Sequence, residues 1–214
     1  MLIPIKLSQI SRLIPAVGTG GQFKYALGDP NKILQRLIIS SIGGIINFLI
    51  SITQIGNQTY NLWLILCVVF FLYILWGPIL ESSRKNLQFR KYKFFSIFDG
   101  YVSDIYKTEK IESSREQSNR QGRLEVINKK RTWLVIELED EDGYLDKITF
   151  PMENKHSQIR VGAKIRCLVT SNNRNFDRDI NLTDAWLPDI NLWVGDYPYL
   201  LRPAFEEICY LYLK

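Results

Sequence analysis

Leu62 to Leu80 reads LWLILCVVFFLYILWGPIL without a single charge. At about 1.5 Å per residue, such a run spans close to the ~30 Å hydrocarbon core of a bilayer. Trp63 and Trp76 sit near its two ends, with Tyr60 just outside, as interfacial aromatic residues do. Pro78 falls near the end of the run, where a helix stops at little cost. The pattern predicts a transmembrane helix.

Leu37 to Ile55 is also long enough, but Ser40, Asn47, Ser51 and other polar residues interrupt it. The interruptions are ordered: Ser40, Gly44, Asn47 and Ser51 recur at i, i+4, i+7 and i+11, along one helical face. Small residues on such a face let another backbone approach, and Asn47 has the reach to hydrogen-bond across the contact. The second helix is a ready partner, because Gly56 to Asn61 is a connection typical of antiparallel helix pairs. A face docked on another membrane protein is the alternative, with Asn47 and Ser51 as contact residues.

Upstream, Leu7, Ile10, Leu13, Ile14 and Val17 keep helical spacing with Lys6, Ser8, Ser11 and Arg12 between them. This is an amphipathic stretch suited to the membrane interface, cut short at Pro15. Gly18-Thr19-Gly20-Gly21 then reads as a plain turn, since a phosphate loop needs a preceding strand and a following Gly-Lys-Ser/Thr.

Past Tyr92 the period changes. Phe94 to Tyr106 is aromatic and β-branched, with Asp99-Gly100 as a turn or bulge signal, and Glu112 to Gly122 reads as an exposed polar loop. Short strands follow over Arg123–Asn128, Thr132–Glu139, Tyr144–Phe150, Lys164–Thr170 and Ile180–Trp186. Leu134, Ile136 and Leu138 share one face, as do Ile165, Cys167 and Val169. In the tail, Phe205, Ile208, Cys209 and Tyr212 predict a closing helix with Glu206 and Glu207 toward solvent. The expected fold is therefore α+β: a two-helix transmembrane hairpin followed by a small antiparallel β-barrel or sandwich, OB-like in plan. Residues 1–32 form the interfacial segment, 33–81 the hairpin and 82–214 a cytoplasmic β-rich domain with its tail.

Charge sharpens this picture. The 214 residues carry a net +5, but Met1 to Lys93 holds 10 Lys/Arg against 2 Asp/Glu, and Phe94 to Lys214 holds 17 against 20. The base hugs the apolar runs, while the connection between them has none, so the positive-inside bias puts both termini on the cytoplasmic or stromal side. Nucleic-acid binders need the reverse, a basic soluble face, and nucleic acid is not an expected partner.

Chemistry is sparse. His156 is the one histidine and reads as a solvated loop residue; Glu139 to Asp142 and Lys129 to Arg131 read as an acidic and a basic turn facing solvent. Cys67, Cys167 and Cys209 have neither disulfide nor metal spacing and read as small buried hydrophobes. No catalytic residue, metal ligand or cofactor is expected. The densest oddity runs from Trp186 to Leu200 and gathers Trp186, Trp193, Tyr197 and Tyr199 around Pro188, Asp196 and Pro198. Aromatics on stiffened loops make good protein-binding hot spots; the competing reading has these rings capping the sheet and holding the tail.

Leu2-Ile3-Pro4, Leu13-Ile14-Pro15-Ala16 through Tyr25, Leu75-Trp76-Gly77-Pro78 and Asn191-Leu192-Trp193-Val194-Gly195-Asp196-Tyr197-Pro198-Tyr199 resemble a family of small membrane proteins of cyanobacteria and plastids. Its members are often labelled "phosphate ABC transporter permease" without a characterised activity. A permease lines its path with several helices and carries a coupling loop of the Glu-Ala-Ala kind, which two helices here do not supply. What the resemblance implies is a thylakoid or plasma-membrane protein, with a plan similar to that of photosystem assembly factors. The expected function is that of a non-enzymatic, membrane-anchored assembly or scaffold factor, whose partners are lipid and a membrane protein complex; an accessory subunit of a transporter or channel is the alternative.

Overall fold

The computed structural model describes residues 1–118, 124–176, 178 and 180–213, and side chains at all of these except 113–118 and 124–127. The chain forms two compact units: Ser8–Lys91 with Leu201–Ala204, and Met1–Leu7 with Tyr92–Leu200 and Phe205–Lys214.

The first unit is helical: α1 (Leu7–Leu13), α2 (Gly20–Leu27), α3 (Pro30–Thr53), α4 (Tyr60–Phe71) and α5 (Tyr73–Phe89). Asp29 caps α3 by accepting the Asn31 N–H, and Pro30 occupies the first turn, where its missing N–H costs nothing. With 24 residues α3 is about 36 Å long. It is long and apolar enough to cross a membrane, and only 22% of its apolar stretch is buried in the protein.

The second apolar run is not the single helix that its composition predicts. It breaks at Leu72, and α4 and α5 are bent by 72°. A break frees carbonyls, which is tolerable at membrane depth only if other donors find them. Two such donors are in place. The Trp76 indole N–H donates to the Val69 carbonyl at 2.9 Å, and the Ser40 hydroxyl of α3 donates to the Phe71 carbonyl at 2.7 Å. Pro78 lies inside α5, where its missing N–H deletes the bond that would reach back to Ile74. The expected hairpin is therefore one continuous apolar helix and a second, broken one.

The polar stripe of α3 faces α4. Gly43 and Gly44 lie under the Phe70 and Phe71 rings, and a Cβ on Gly44 would sit 2.7 Å from Phe71. Ser40 alone bonds across. Asn47 and Ser51 donate back to their own helix, to Gly43 and Phe48 carbonyls, and are buried there.

Elsewhere this unit is held by polar groups. The Thr19 side chain and Gln22 form a capping box that turns the glycine run into the start of α2 rather than a plain turn. Gln22 and Asn86, both fully buried, exchange amide hydrogen bonds at 2.8 and 2.9 Å, and Asn86 also donates to the Pro15 carbonyl. Buried Arg36 donates to the Ala26 carbonyl and to Glu81, which also meets Lys32 and Lys85. The expected interfacial segment is likewise revised: Ile10, Leu13 and Ile14 are buried in protein, while Leu7 and Val17 are exposed.

The second unit is an antiparallel sheet with seven strands among the described residues, ordered β4-β3-β2-β5-β6-β7, with β1 added to β2. The strands are β1 (Leu2–Pro4), β2 (Phe94–Ser118), β3 (Leu124–Glu139), β4 (Leu145–Pro151), β5 (Lys164–Ser171), β6 (Asn181–Leu187) and β7 (Leu192–Val194). β1 was not expected, and Met1–Leu7 belongs with the sheet rather than with the helices. β2 changes partners along its length. Phe94–Tyr101 pairs with β5, and Tyr101–Ser118 pairs with β3. Asp99-Gly100 is thus mid-strand and not a turn; Gly100 is needed there because a Cβ would meet the Glu139 carbonyl oxygen at 2.5 Å. The core-facing alternation is as the pattern predicts: Leu134, Ile136, Leu138, Ile165, Cys167 and Val169 join Phe98 and Phe150 in one cluster.

Two expected loops lie in strands, and the expected acidic turn at Glu139–Asp142 keeps Glu139, Glu141 and Asp142 exposed. Glu112 to Ser118 lies in β2, and the remainder of that expected loop, 119–122, falls outside the described residues, as does Arg123 at the start of the next expected strand. Lys129, Lys130 and Arg131 lie in β3 and pair with Glu109 and Glu112. Asp140 is buried and accepts the N–H groups of Asp142 and Tyr144 and the Met1 amine. Burial alone would raise its pKa, but these donors hold the carboxyl below the usual range. The expected closing helix is present as α6 (Arg202–Tyr212), with Phe205, Ile208 and Cys209 buried but Tyr212 exposed. The three cysteines are free and buried, and burial pushes the Cys209 thiol up to about 12.

His156 is not a solvated loop residue. It is buried in a short 3-10 turn (Asn154–Gln158), edge-on to Phe150, and its Nδ1 accepts the Glu153 N–H at 3.0 Å. Burial, reinforced by Lys155, pushes its pKa below the ordinary 6.5. The unfolded chain then binds the proton more readily, so the associated stability is present above 6.5 and is lost as pH falls through the lower folded value. Asparagine at 156 keeps an acceptor without the titration. H156N should flatten the decline in unfolding midpoint between about pH 7 and about pH 5; an unchanged slope would assign that decline to other groups.

Candidate functional site

β4 and β6 approach each other on the curled sheet without pairing in the described ladders. Between them lies a cleft of about 290 Å³, lined by Asp146–Thr149 of β4, Ile180–Asp184 at β6, and Gly195, Asp196, Tyr197 and Tyr199. Its volume is at the lower end of the ~300–1,000 Å³ range of ligand pockets.

The segment after β7 shapes one wall. Gly195 has φ +151°, and a Cβ there would lie 2.9 Å from the Asp184 Cα, so only glycine lets the chain pass this close to β6. The Asp184 carboxylate is buried and accepts the Leu200 N–H at 3.0 Å, which ties the far end of the segment to the same residue. Tyr197 and Tyr199 meet edge-to-face with centroids 4.6 Å apart. Burial, followed by neighbouring Tyr197 and Asp196, raises the Tyr199 pKa, so its phenol stays a neutral hydrogen-bonding group. Asp146 on the opposite wall accepts the Tyr144 hydroxyl at 2.9 Å; Tyr144 itself packs against the core, and burial raises its pKa also. The cleft is thus lined by an exposed carboxylate (Asp196), a half-buried one that already accepts from Tyr144 and the Lys147 N–H (Asp146), a buried one (Asp184), one lysine (Lys147), two tyrosine rings and the Asn181 amide. It suits a cationic, partly apolar ligand.

Three residues singled out in the sequence, Asp196, Tyr197 and Tyr199, come together here. Trp186 and Trp193 do not. They face each other across the β6–β7 pair and hold α6: the Trp193 indole donates to Glu206 at 3.0 Å and packs on Phe205, and Trp186 packs on Tyr210. Glu206 accordingly points at Trp193 rather than into solvent. Asn47 and Ser51 are covered by the α3–α4 contact and expose no binding surface. Asp146 and Asp184 were missed. The available signal was a carboxylate inside an apolar strand, Leu182-Thr183-Asp184-Ala185-Trp186, which costs too much to bury without a purpose.

Among the described residues no group of three or more His, Cys, Asp and Glu side chains is disposed to hold a metal ion. A second cavity, about 360 Å³, lies beside β1 between Lys93–Ser96 and Arg174–Phe176; it has no carboxylate in its lining.

No curated protein and no solved structure matches the chain. Residues 3–211 match a family of unknown function, DUF8619, which agrees with the resemblance to a family without a characterised activity. With nearly its whole length covered, the chain belongs to the DUF8619 family.

Proposed function

We propose that this protein is a membrane-anchored binding protein that holds a client membrane complex through its sheet unit, as an assembly or scaffold factor. The observation that carries this reading is the outer surface of α3. Ile38, Ile42, Ile45, Phe48, Leu49 and Ile52 are each about half exposed, without a charge among them, which is a lipid-facing surface rather than a water-facing one. The capped break at Leu72 supports the same environment, because it leaves no penalty for the Val69 and Phe71 carbonyls in a non-aqueous medium. The cationic flanks favour a cytoplasmic or stromal sheet unit, and the resemblance to cyanobacterial and plastid proteins favours a thylakoid or plasma membrane. Tethering raises the effective concentration at the membrane, so a small cleft of modest affinity suffices.

The test is alkaline extraction of native membranes, followed by mild-detergent purification of the tagged chain and native gels. The expected result is a pelleted chain that co-migrates with a larger membrane complex. Release into the alkaline supernatant would remove the anchor; free monomer alone, at native abundance, would remove the client.

A further inference from the structure

We propose that the cleft takes an extended basic peptide segment as an added strand on the free edge of β4. This rests on the binding reading above and names the class of occupant.

The ladder geometry identifies the free groups. β3 and β4 pair in uninterrupted register from Trp133 opposite Pro151 to Glu139 opposite Leu145. At one end the Met152 N–H donates to the Thr132 carbonyl, and at the other the Asp140 N–H donates to the Tyr144 carbonyl. Both bonds use even-numbered residues of this arm. In an antiparallel pair the bonded residues alternate, so the backbone groups of Lys147 and Thr149 point away from β3, on the cleft side. The Lys147 N–H is taken by the Asp146 carboxylate at 2.7 Å. That leaves the Thr149 N–H and the Lys147 and Thr149 carbonyls as an unpaired edge, which ends at Pro151. An exposed edge of this kind is a template for strand addition.

The opposite wall leaves room for an incoming chain. β7 covers only the Ala185–Leu187 part of β6, and the cleft begins where that pairing stops. At about 3.3 Å per residue, the Asp146–Thr149 wall matches an extended segment of about four residues. Charge selects its side chains. Asp146, Asp184 and Asp196 stand against Lys147 alone, and the Tyr197–Tyr199 pair offers an aromatic wall to the stem of an arginine or lysine. A Lys or Arg of an extended segment meets exposed Asp196 directly, while Asp146 and buried Asp184 add to the negative field of the wall.

The experiment uses the full chain in phosphatidylcholine nanodiscs, with fluorescence anisotropy of labelled peptides of alternating Arg and Val. Two control peptides replace Arg by Glu, or N-methylate alternate backbone amides. The expected result is binding of the basic peptide, with a loss of about tenfold or more for either control. D196N weakens the basic peptide about fivefold and reduces its salt dependence. T149P, which removes the edge N–H at a position where an edge strand tolerates proline, mimics the N-methyl result. Because the modified peptides leave the protein untouched, a misfolded T149P does not spare the proposal. Equal binding of the Arg and Glu peptides would overturn the charge selection, and full binding of the N-methylated peptide would overturn strand addition. Failure of peptide binding while a client still co-purifies from native membranes would overturn this inference and leave the anchored-binding reading standing.

Discussion

Replacing Asn86 with leucine is expected to destabilise the helical unit by about 1–4 kcal/mol, because one fully buried group loses a partner at about 1–3 kcal/mol and one half-buried group loses a partner at less. Those groups are the Gln22 amide NH2 and the Pro15 carbonyl, both of which meet the Asn86 side chain now. The Gln22 carbonyl keeps the Thr19 N–H and is spared. Leucine keeps the branched shape and heavy-atom count of asparagine, and its bulkier methyl groups add some overpacking to the polar cost. Hydrogen exchange in detergent should rise over α2 and the Ser82–Phe89 half of α5, ahead of the rest of the chain. The double change Q22L/N86L provides the internal check. Because Q22L also takes away the acceptor of the Thr19 N–H, the readout is the coupling between the two sites: the double variant should lose less than the sum of Q22L and N86L. A neutral N86L would mean that water reaches this pair.

In the sheet unit, Phe98→Ala should cost about 3–5 kcal/mol, the usual penalty for emptying a phenylalanine site in a packed core. Phe98 is fully buried, its ring centroid is 5.5 Å from that of Tyr144, and its strand is the one on which β1, β3 and β5 all converge. Gly100 sits against the same ring: a Cβ there would lie 2.5 Å from the Phe98 Cζ, so the aromatic and the glycine form one packing device. Domains are stable by only about 5–15 kcal/mol, so the variant sits near the edge of folding. The comparison is Tyr101→Ser, three residues on and 44% exposed, which should shift the urea midpoint little. Similar midpoints for both variants would mean that the sheet packs elsewhere.

Both variants also bear on how far composition reaches. Polar amides in a helical segment read as surface, yet Gln22 and Asn86 pair at its centre. Their spacing of 64 residues carries no periodic signal, and only the folded chain brings them together. His156 and Asp140 read as solvated for the same reason. A polar residue in a turn is exposed by default, and burial is affordable only once particular donors, Glu153 N–H or Tyr144 N–H, are in place. The stripe of Ser40, Gly44, Asn47 and Ser51 was legible as a contact face, because a helix repeats its side-chain direction every 3.6 residues whatever lies opposite. Which of its members bond across was not legible, and only Ser40 does.

The candidate site divides in the same way. The aromatic stretch from Trp186 to Tyr199 stood out by density, but the chain sorts it into two jobs. Trp186 and Trp193 hold α6, while Asp196, Tyr197 and Tyr199 form the cleft wall. Asp146 joins them from β4, the opposite end of the strand order, a pairing that depends on how the sheet curls and that no local pattern records.

By itself, then, the sequence determined the apolar helix over α3, the switch to strands after Tyr92, the inward faces of β3 and β5 and the excess of base around the apolar runs. Each of these repeats within a few residues and is a property of one element and its solvent. Tertiary structure alone decided the break at Leu72, the partner exchange along β2, the buried amide pair and the cleft. Each of those depends on a donor, a ring or an edge supplied from tens of residues away, such as the Ser40 hydroxyl beneath the Phe71 carbonyl, and comes into being only when distant elements are packed together.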